Sequence, residues 1–594
     1  MNKLALCLVL VFLWPFASFA SNPDYGTPDE RLLTFLEWDW DERLGRDPLL
    51  ATAVGSDLFA DRLPKVSLEA LDLEKRSKQV MLLRLDKLSR KQLSAERQVD
   101  YDIFRGKLEE EVADLEMGTY RIPISDRWGF HLYFLQLPDL MDPRSLEDYE
   151  NYLSRLRGFR DYAAGHIELM REGLRTGWVS PRLVMEGAVK TVEPQVVETP
   201  EESLLWAPFE ELPESFSAEE RQRLLQEARE AITTSVIPGY RDFRDFLRDE
   251  YVPKARESIG ASELPDGEAY YAQQVRKYTT LDITPREVHE IGLSEVQRIR
   301  AEMETVMQET GFEGDLAAFI DFLRTDPQFY PKSGEELMQR AALITKRMDG
   351  QLPKLFGKLP RTPYGLKEVP DYLAPNTYPA YYEQPAGDGS RAGFYYVNTY
   401  NLPSRPLYEL EALSLHEAVP GHHLQLALQQ ELDLVPLRRF FSAASFVEGW
   451  ALYSESLGLE VGFYTDPYSD FGRLTYEMWR ACRLVVDTGI HAFGWSRQQA
   501  IDFMAENSAL SLHNITTEVD RYIGWPGQAL GYKLGELKIR ELRSRAEEAL
   551  GERFDVRAFH DLVLGSGAVP LRVLEDAVDR WIGGFGSVVD NKVQ

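Results

Sequence analysis

Cysteine is scarce in this chain. There are two in 594 residues, Cys7 and Cys482, and Cys7 lies in an N-terminal segment that we expect to be removed. The remaining chain then has one thiol and no intramolecular disulfide, even in an oxidising compartment. Stability must therefore come from a hydrophobic core, for which a hydrophobic content of 44% is ample.

Positive charge is also in deficit. The chain carries 67 Lys and Arg against 96 Asp and Glu, a net charge of -29. A field of that sign repels nucleic acid phosphates and anionic lipids, so neither is an expected partner. The sequence also lacks a GxxxxGK[ST] phosphate-binding loop and a GxSxG nucleophile elbow. Nucleotide-binding and serine-hydrolase functions therefore lose their usual support.

Long apolar runs are absent except at the N-terminus. There the run from Leu4 to Trp14 is followed by the small-residue end Ala17-Ser18-Phe19-Ala20. This layout is typical of a cleavable secretory signal, and we predict removal of residues 1–20. An uncleaved anchor is less favoured because the run is shorter than the roughly 20 residues that span a bilayer. A lipid on Cys7 is disfavoured because Leu6 stands where a small residue is needed. We expect a periplasmic or secreted protein of the bacterial envelope, with no stable membrane insertion after cleavage.

Most of the remaining sequence has the pattern of amphipathic helices. Three helix starts are marked by capping boxes, in which a Ser or Thr is followed three residues later by Glu or Gln. They are Ser217-x-x-Glu220, Thr284-Pro285-x-Glu287 and Ser496-x-x-Gln499. Residues 393–400, rich in aromatic and β-branched types, are the best strand candidate.

No internal repeat, free linker or low-complexity tract divides the chain. We therefore predict one mainly α unit over residues 21–594, with a small β element before the metal-binding helix. Its two lobes, about 21–380 and about 381–594, are expected to flank a deep cleft.

Three of the nine histidines fall in one eight-residue run, His416-Glu417-Ala418-Val419-Pro420-Gly421-His422-His423. In the HExxH motif two histidines one helical turn apart bind zinc, and the Glu beside the first activates the bound water. Here the second histidine is six or seven residues away, which a continuous helix cannot bring to the same ion. Pro420-Gly421 must interrupt the helix. That break would bring either His422 or His423 to the second ligand position.

A third ligand is expected from a downstream carboxylate. Glu448 fits because it lies 26 residues after His422 in an otherwise apolar segment. Glu455, seven residues further and on the same helix face, is placed to orient a ligating imidazole through its second N–H. The competing interpretation is a solvated or capping His-Glu group that binds nothing. It must also explain a Pro-Gly pair inside an apolar helix.

A second polar stripe is formed by Arg483, Asp487 and His491, spaced four residues apart on an otherwise apolar helix. If the stripe faces the cleft, Asp487 would orient His491 to stabilise an oxyanion. An ordinary salt-bridged solvent face is an equally good interpretation.

The Gly-rich turn Tyr522 to Lys533 presents further polar groups at the start of another helix. The Tyr532 hydroxyl suits an oxyanion, the Lys533 ammonium suits a substrate carboxylate, and Gln528 is a further candidate substrate contact. A packed turn is the alternative.

These motifs together resemble the domain-of-unknown-function 885 family of bacterial secreted proteins and lipoproteins. The resemblance rests on four segments. They are His416-Glu417-x-x-Pro420-Gly421-His422-His423-Leu424-Gln425, Glu448-Gly449-Trp450-Ala451-x-Tyr453-x-Glu455, Asp487-Thr488-Gly489-x-His491, and Pro526-Gly527-Gln528-Ala529-x-Gly531-Tyr532-Lys533. That family is in turn similar in fold to the helical gluzincin peptidases, which include oligopeptidases and angiotensin-converting enzymes.

The resemblance implies a zinc peptidase with one zinc per chain. It implies that the ligands are His416, His422 and Glu448, the base is Glu417, the oxyanion donors are His491 and Tyr532, and the substrate anchor is Lys533 or Arg483. It also favours His422 over His423. We therefore expect a secreted zinc metallohydrolase acting on short peptides. A zinc hydrolase of non-peptide amides or esters and a non-catalytic envelope binding protein are the alternatives.

Overall fold

The computed structural model describes residues 26–371, 374–385 and 391–590, apart from the side chains of 376 and 585–590. The predicted signal, residues 1–20, lies outside the described residues. The fold is mainly helical with one small sheet, as predicted.

The first part of the chain forms fifteen helices among the described residues. They are α1 (Pro28–Arg46), α2 (Pro48–Ala53), α3 (Leu68–Leu85), α4 (Ala95–Met117), α5 (Phe130–Tyr133), α6 (Leu137–Met141), α7 (Leu146–Thr176), α8 (Arg182–Val192), α9 (Ala218–Ala231), α10 (Ile237–Asp245), α11 (Gly267–Thr279), α12 (Pro285–Glu309), α13 (Leu316–Thr325), α14 (Gly334–Asp349) and α15 (Leu352–Leu355). Single π turns, Ile232–Val236 and Phe246–Tyr251, flank α10, and short 3-10 turns fill several connections.

A three-stranded sheet precedes the histidine-rich run. Its strands are β1 (Tyr364–Glu368), β2 (Ala380–Glu383) and β3 (Gly393–Val397). The central strand β3 pairs in parallel with β1 and antiparallel with β2. The predicted strand at 393–400 is thus confirmed over its first five residues.

Ten helices follow the sheet. They are α16 (Leu410–Glu417), α17 (His422–Glu431), α18 (Pro436–Arg439), α19 (Ala444–Leu457), α20 (Pro467–Phe493), α21 (Arg497–Asn507), α22 (Leu512–Gly524), α23 (Gly531–Leu550), α24 (Val556–Leu564) and α25 (Leu571–Asp590).

The predicted helix starts are confirmed by their hydrogen bonds. Ser217, Thr284 and Ser496 each cap a helix in a complete capping box, at the starts of α9, α12 and α21. Such a box satisfies two backbone N–H groups that the first helical turn leaves without partners. Among the described residues, no helix combines the length and the apolar character needed to cross a bilayer.

Helix α20 forms the centre of the second half of the fold. Every residue from Phe471 to His491 is buried, which is the pattern of a helix surrounded by other helices. Its closest neighbour is α12, where Gly292 lies against Leu484 and Val485 so tightly that a Cβ would approach them to 2.7 and 2.8 Å. The main hydrophobic core includes residues of both predicted lobes, from Ile103 to Val578. The division into lobes stays a prediction.

Candidate metal centre

The histidine-rich run is split between two helices. Helix α16 ends at Glu417 and α17 begins at His422, with the link Ala418–Gly421 between them. The Val419–Pro420 peptide bond in this link is cis. The predicted interruption at Pro420-Gly421 is therefore confirmed.

Specific hydrogen bonds hold this link. The Gly421 N–H donates to the Leu415 carbonyl at 3.0 Å, and the Trp450 indole N–H donates to the Pro420 carbonyl at 2.9 Å. Gly421 packs directly on α16, because a Cβ there would lie 1.9 Å from the carbonyl oxygen of His416. Only glycine fits at this position.

The link brings three predicted ligands together. One side-chain ligand atom each from His416, His422 and Glu448 lies within 4.8 Å of the others. Glu448 Oε2 is 3.6 Å from His416 Nε2 and 3.5 Å from His422 Nε2. Ligand atoms bound tetrahedrally to zinc, with bonds of 2.0–2.1 Å, are separated by roughly 3.3–3.4 Å. The two distances to Glu448 are close to that spacing and longer than ordinary hydrogen bonds.

The first histidine is oriented from behind. His416 Nδ1 lies 2.8 Å from Glu455 Oε1, which leaves Nε2 directed at the cluster. Arg480 in turn lies 3.4 Å from the same Glu455 oxygen. A carboxylate behind a ligating imidazole fixes both its tautomer and its direction. This is the arrangement that the spacing of Glu455 predicted.

The charges of the cluster suit a cation. Burial acts to lower the pKa of His416, but the carboxylates of Glu448 and Glu455 raise it to about 9. Burial acts to raise the pKa of Glu448, yet the two histidines hold it well below its usual range. The carboxylates of Glu448 and Glu455 thus favour a proton on His416. A bound metal ion would displace that proton.

His423 lies outside the cluster. Its Nδ1 is 2.8 Å from the Tyr382 hydroxyl, and its ring packs 4.6 Å from the ring of Tyr364. Burial lowers its pKa to about 4. Of the two histidines that the sequence left open, only His422 reaches the other ligands.

Glu417 is the last residue of α16 and is buried beside the cluster. Its carboxylate accepts no hydrogen bond from the residues that the structure describes. The nearby Tyr395, on β3, is close enough for the Glu417 charge to help raise its pKa. Glu417 therefore has its lone pairs free for a proton, as a general base requires.

His491 is fully buried and does not face a cleft. Its Nδ1 accepts a hydrogen bond from the Ala261 N–H at 3.0 Å, and its Nε2 donates to the Tyr522 carbonyl at 2.9 Å. Asp487 contacts other groups, the Tyr271 hydroxyl at 2.6 Å and the Gly527 N–H. Because both imidazole nitrogens are occupied, the predicted oxyanion role of His491 must be corrected to a structural one.

Lys533 also departs from its predicted role. The side chain is fully buried, and its ammonium lies 3.0, 2.8 and 2.6 Å from carboxylates of Glu295, Glu477 and Glu536. Three carboxylates leave no donor or net charge for a substrate. This residue ties α12, α20 and α23 together instead of anchoring a ligand.

Arg483 and Tyr532 lie side by side near the cluster. The Arg483 guanidinium carbon is 4.2 Å from the centre of the Tyr532 ring. Burial raises the pKa of Tyr532, and the nearby charge of Glu448 raises it further. Gln528 accepts a hydrogen bond from Arg521 in the same region. The structure thus places Tyr532 near Glu448, with Arg483 packed on the Tyr532 ring, and engages Gln528 with another side chain.

The sequence did not single out two residues of this region, Glu518 and Arg521. Glu518 accepts hydrogen bonds from Arg483 at 3.0 Å and from Arg521 at 2.9 Å. Glu518 and Arg521 are spaced i,i+3 on α22, which the sequence shows. The same spacing is common on solvent-exposed helix faces, so it did not mark these residues as functional.

Comparison with known proteins places this fold in a family. The family model described as "Bacterial protein of unknown function (DUF885)" matches residues 48–578. The chain belongs to this family. This match confirms the predicted resemblance to the DUF885 family. No curated protein matches the chain.

Two solved structures share the fold of this DUF885 protein. The crystal structure of the putative lipoprotein from Colwellia psychrerythraea is 28% identical in sequence, with a TM-score of 0.87 over 94% of this chain and 100% of that one. A putative lipoprotein of unknown function from Shewanella oneidensis is 18% identical, with a TM-score of 0.73 over 92% and 99%. The second likeness shows the fold alone.

Proposed function

We propose that this protein is a zinc-dependent hydrolase that cleaves peptide bonds in short peptides. The observation that carries the proposal is the cluster of His416, His422 and Glu448, in which Glu448 Oε2 lies 3.6 and 3.5 Å from the two imidazole Nε2 atoms and all three ligand atoms lie within 4.8 Å of one another. Two imidazoles and one carboxylate are a common ligand set of catalytic zinc, which leaves a fourth position open. One zinc ion per chain is expected there.

Each neighbouring residue then has a defined task. When bound, zinc would polarise the substrate carbonyl and make a water molecule more acidic. Glu417 accepts the proton of the attacking water and returns it to the leaving amine. Tyr532 keeps its hydroxyl proton at neutral pH because its pKa is raised. The hydroxyl can therefore donate to the carbonyl oxygen as negative charge develops there.

We infer an envelope location from two independent features. Residues 1–20 have the layout of a secretory signal. Both solved neighbours are described as putative lipoproteins, and we extend the envelope compartment that this description implies for them to the present chain.

Metal content tests the site first. The mature protein and its His416→Ala, His422→Ala and Glu448→Ala variants would be analysed for zinc after dialysis. We expect about one zinc per chain in the wild type and none in the three variants. His423→Ala is the matched control, since this adjacent buried histidine contacts Tyr382 instead, and it should keep its zinc. A wild type that holds no zinc even when zinc is offered would refute the proposal.

Glu417→Gln tests catalysis separately from metal binding. This variant should retain its zinc and lose about 100- to 10,000-fold in kcat/KM on short peptides, the usual contribution of a general base. Equal cleavage by both proteins would exclude the proposed mechanism. Activity on other amides or esters that depends on Glu417, with none on peptides, would change the substrate class. Retained zinc with no activity on any of these compounds would favour a binding protein.

A further inference from the structure

Two exposed tyrosines lie near the metal cluster without side-chain partners. Tyr133, the last residue of α5, is 51% exposed, and Tyr378, between β1 and β2, is 38% exposed. Among the described residues, neither hydroxyl forms a hydrogen bond, and neither ring stacks on another ring or on a cation. Aromatic rings that are exposed together are typical of ligand-binding surfaces.

Tyr378 lies beside the metal cluster. Burial is the main reason that the pKa of Tyr532 is raised, and the nearby Glu448 and Tyr378 raise it further. Tyr532 is therefore close both to a metal ligand and to Tyr378. Solvent reaches the cluster, because the side chains of Glu448 and His422 are 21% and 12% exposed. A peptide bound at the metal position can thus also contact Tyr378.

Tyr133 approaches the same place from the first half of the chain. Burial raises its pKa, and the nearby Tyr378 raises it further. The segment that carries Tyr133 also contacts the second half directly, since the ring of Trp128 lies 5.9 Å from that of Trp525. Tyr133 and Tyr378 are thus within electrostatic range of each other, but their rings are not stacked. A third ring can bind between them.

The backbone on which Tyr378 stands is fixed. Asn398, which is fully buried directly after β3, donates from its side-chain amide to the Tyr378 carbonyl at 3.0 Å and to the Ala374 carbonyl at 2.9 Å. The Asn398 N–H donates to the Pro379 carbonyl at 2.9 Å. An exposed ring on a fixed backbone loses little conformational entropy when a ligand binds it.

We propose that Tyr133 and Tyr378 bind an aromatic side chain of the substrate, so that the protein cleaves short peptides next to a Phe or Tyr residue. This inference rests on the proposed hydrolase function and names its substrate class. Aromatic rings attract one another in offset or edge-to-face arrangements and remove apolar surface from water. The nearby Arg521 is paired with Glu518 at 2.9 Å, so its charge does not select an acidic side chain.

The test compares capped peptides that differ in one residue beside the cleaved bond. Phe at that position should give a kcat/KM about 10- to 100-fold higher than Ala, the order of discrimination that aromatic contacts and an apolar site provide. Tyr378→Ala and Tyr133→Ala should each reduce this preference, mainly through a higher KM. Tyr378→Phe keeps the ring and should retain the preference. Equal cleavage of the two peptides by the wild type, or an undiminished preference in either alanine variant, would overturn the proposal.

Tyr400→Ala is the matched control. Tyr400 is 52% exposed and also follows a strand of the sheet, but it is not among the groups that act on Tyr532 or Tyr133. This variant should keep the full preference for Phe. Because all three tyrosines are exposed, their replacement should leave the fold intact, which the urea unfolding midpoint would verify. A loss in Tyr400→Ala equal to that in Tyr378→Ala would count against the proposal.

A binding measurement separates this proposal from the hydrolase function. Glu417→Gln protein in zinc-containing buffer would be titrated calorimetrically with N-acetyl-Ala-Phe-Ala-amide and with N-acetyl-Ala-Ala-Ala-amide. Tighter binding of the Phe peptide, lost in the Tyr378→Ala background, would support the aromatic site even if no peptide were cleaved. Equal binding of the two, or binding of neither, would overturn the aromatic site even if peptides were cleaved in a Glu417-dependent manner.

Discussion

At the scale of single residues, His416 depends on Glu455 for its direction. The 2.8 Å contact of Nδ1 with Glu455 leaves Nε2 as the only nitrogen for a metal. His422 differs, because its Nδ1 is buried without a hydrogen-bond partner among the described residues. One ligand is therefore held by a charged partner, whereas the other is held only by packing and by the start of α17.

We predict that Glu455→Gln lowers zinc affinity by about 10- to 100-fold, the usual effect of removing a charged partner behind a ligating histidine. The amide can still accept a hydrogen bond, so the fold should persist. The dissociation constant would be measured by competition with a chelator. An unchanged constant would mean that Glu455 does not support His416.

Residue identities and their roles were predictable to different degrees. His416, Glu417 and Glu448 carry a spacing with a chemical meaning, and the sequence predicted their proximity. His491 and Lys533 were assigned substrate roles because polar groups on an apolar helix look alike whether they face a ligand or other protein groups. Apart from Glu536, which is three residues from Lys533, their partners come from α12, α20, α22 and a loop, all distant in sequence, which no local pattern reveals.

At the scale of elements, the break between α16 and α17 determines which histidine lies beside His416 and Glu448. Six residues of continuous helix would place His422 roughly 120° around the helix from His416. The link instead lets α17 restart against α16, and the indole of Trp450 on α19 holds the Pro420 carbonyl. The Pro-Gly pair predicted this break. Spacing alone did not decide between His422 and His423, because that depends on the three-dimensional path of the link.

Gly421→Ala should displace α17 and abolish stoichiometric zinc binding. Its Cβ would meet backbone atoms of His416 and Leu415, which cannot rotate away, and the strain should cost about 1–3 kcal/mol or more. Zinc content and the urea unfolding midpoint would measure both effects. Gly106→Ala is the control, since Gly106 in α4 has open space around it. That variant should keep zinc and gain about 0.5–1 kcal/mol. A zinc-binding Gly421→Ala protein would contradict this account of the link.

At the scale of the whole molecule, the proposed metal joins α16, α17 and α19. A ligand that binds only the folded chain stabilises it by about 4 kcal/mol when present at 1,000 times its dissociation constant. We therefore expect added zinc to raise the thermal midpoint of the metal-free wild type and of His423→Ala. The midpoint of His416→Ala should stay unchanged. An equal increase in all three proteins would show that the ion binds elsewhere.

Acid should weaken the first half of the fold through a buried histidine. His166 stacks on Phe130 at 4.1 Å, and both of its ring nitrogens lack hydrogen-bond partners among the described residues. Burial, with a smaller effect of His131, lowers its pKa to about 3. Between pH 6.5 and pH 3 the unfolded chain binds a proton that the folded chain does not, so stability falls as the pH falls.

His166→Phe should reduce this loss while keeping the ring stack. Between pH 7 and pH 5 the wild type should lose about 1–2 kcal/mol more than the variant. Urea unfolding midpoints at the two pH values measure the difference, with the exposed His513→Gln as control. The same pH dependence in wild type and His166→Phe would disprove the role of His166.

The overall architecture was more predictable than its internal contacts. Capping boxes at Ser217, Thr284 and Ser496 fix helix starts through bonds within four residues, so local sequence suffices. Helix α20 is buried on every side by helices from both halves of the chain. The polar residues in its sequence did not indicate this complete burial. Local rules thus predicted the elements, whereas the roles of polar residues depended on packing.

The interrupted helix has a consequence for protein engineering. Two histidines six positions apart meet one carboxylate here because a Pro-Gly link replaces one stretch of continuous helix. A designer can therefore place a zinc site across a helix end, with the base on the first helix and the second ligand at the start of the next. Variation in the link would then change the angle between the two metal–imidazole bonds without altering either helix.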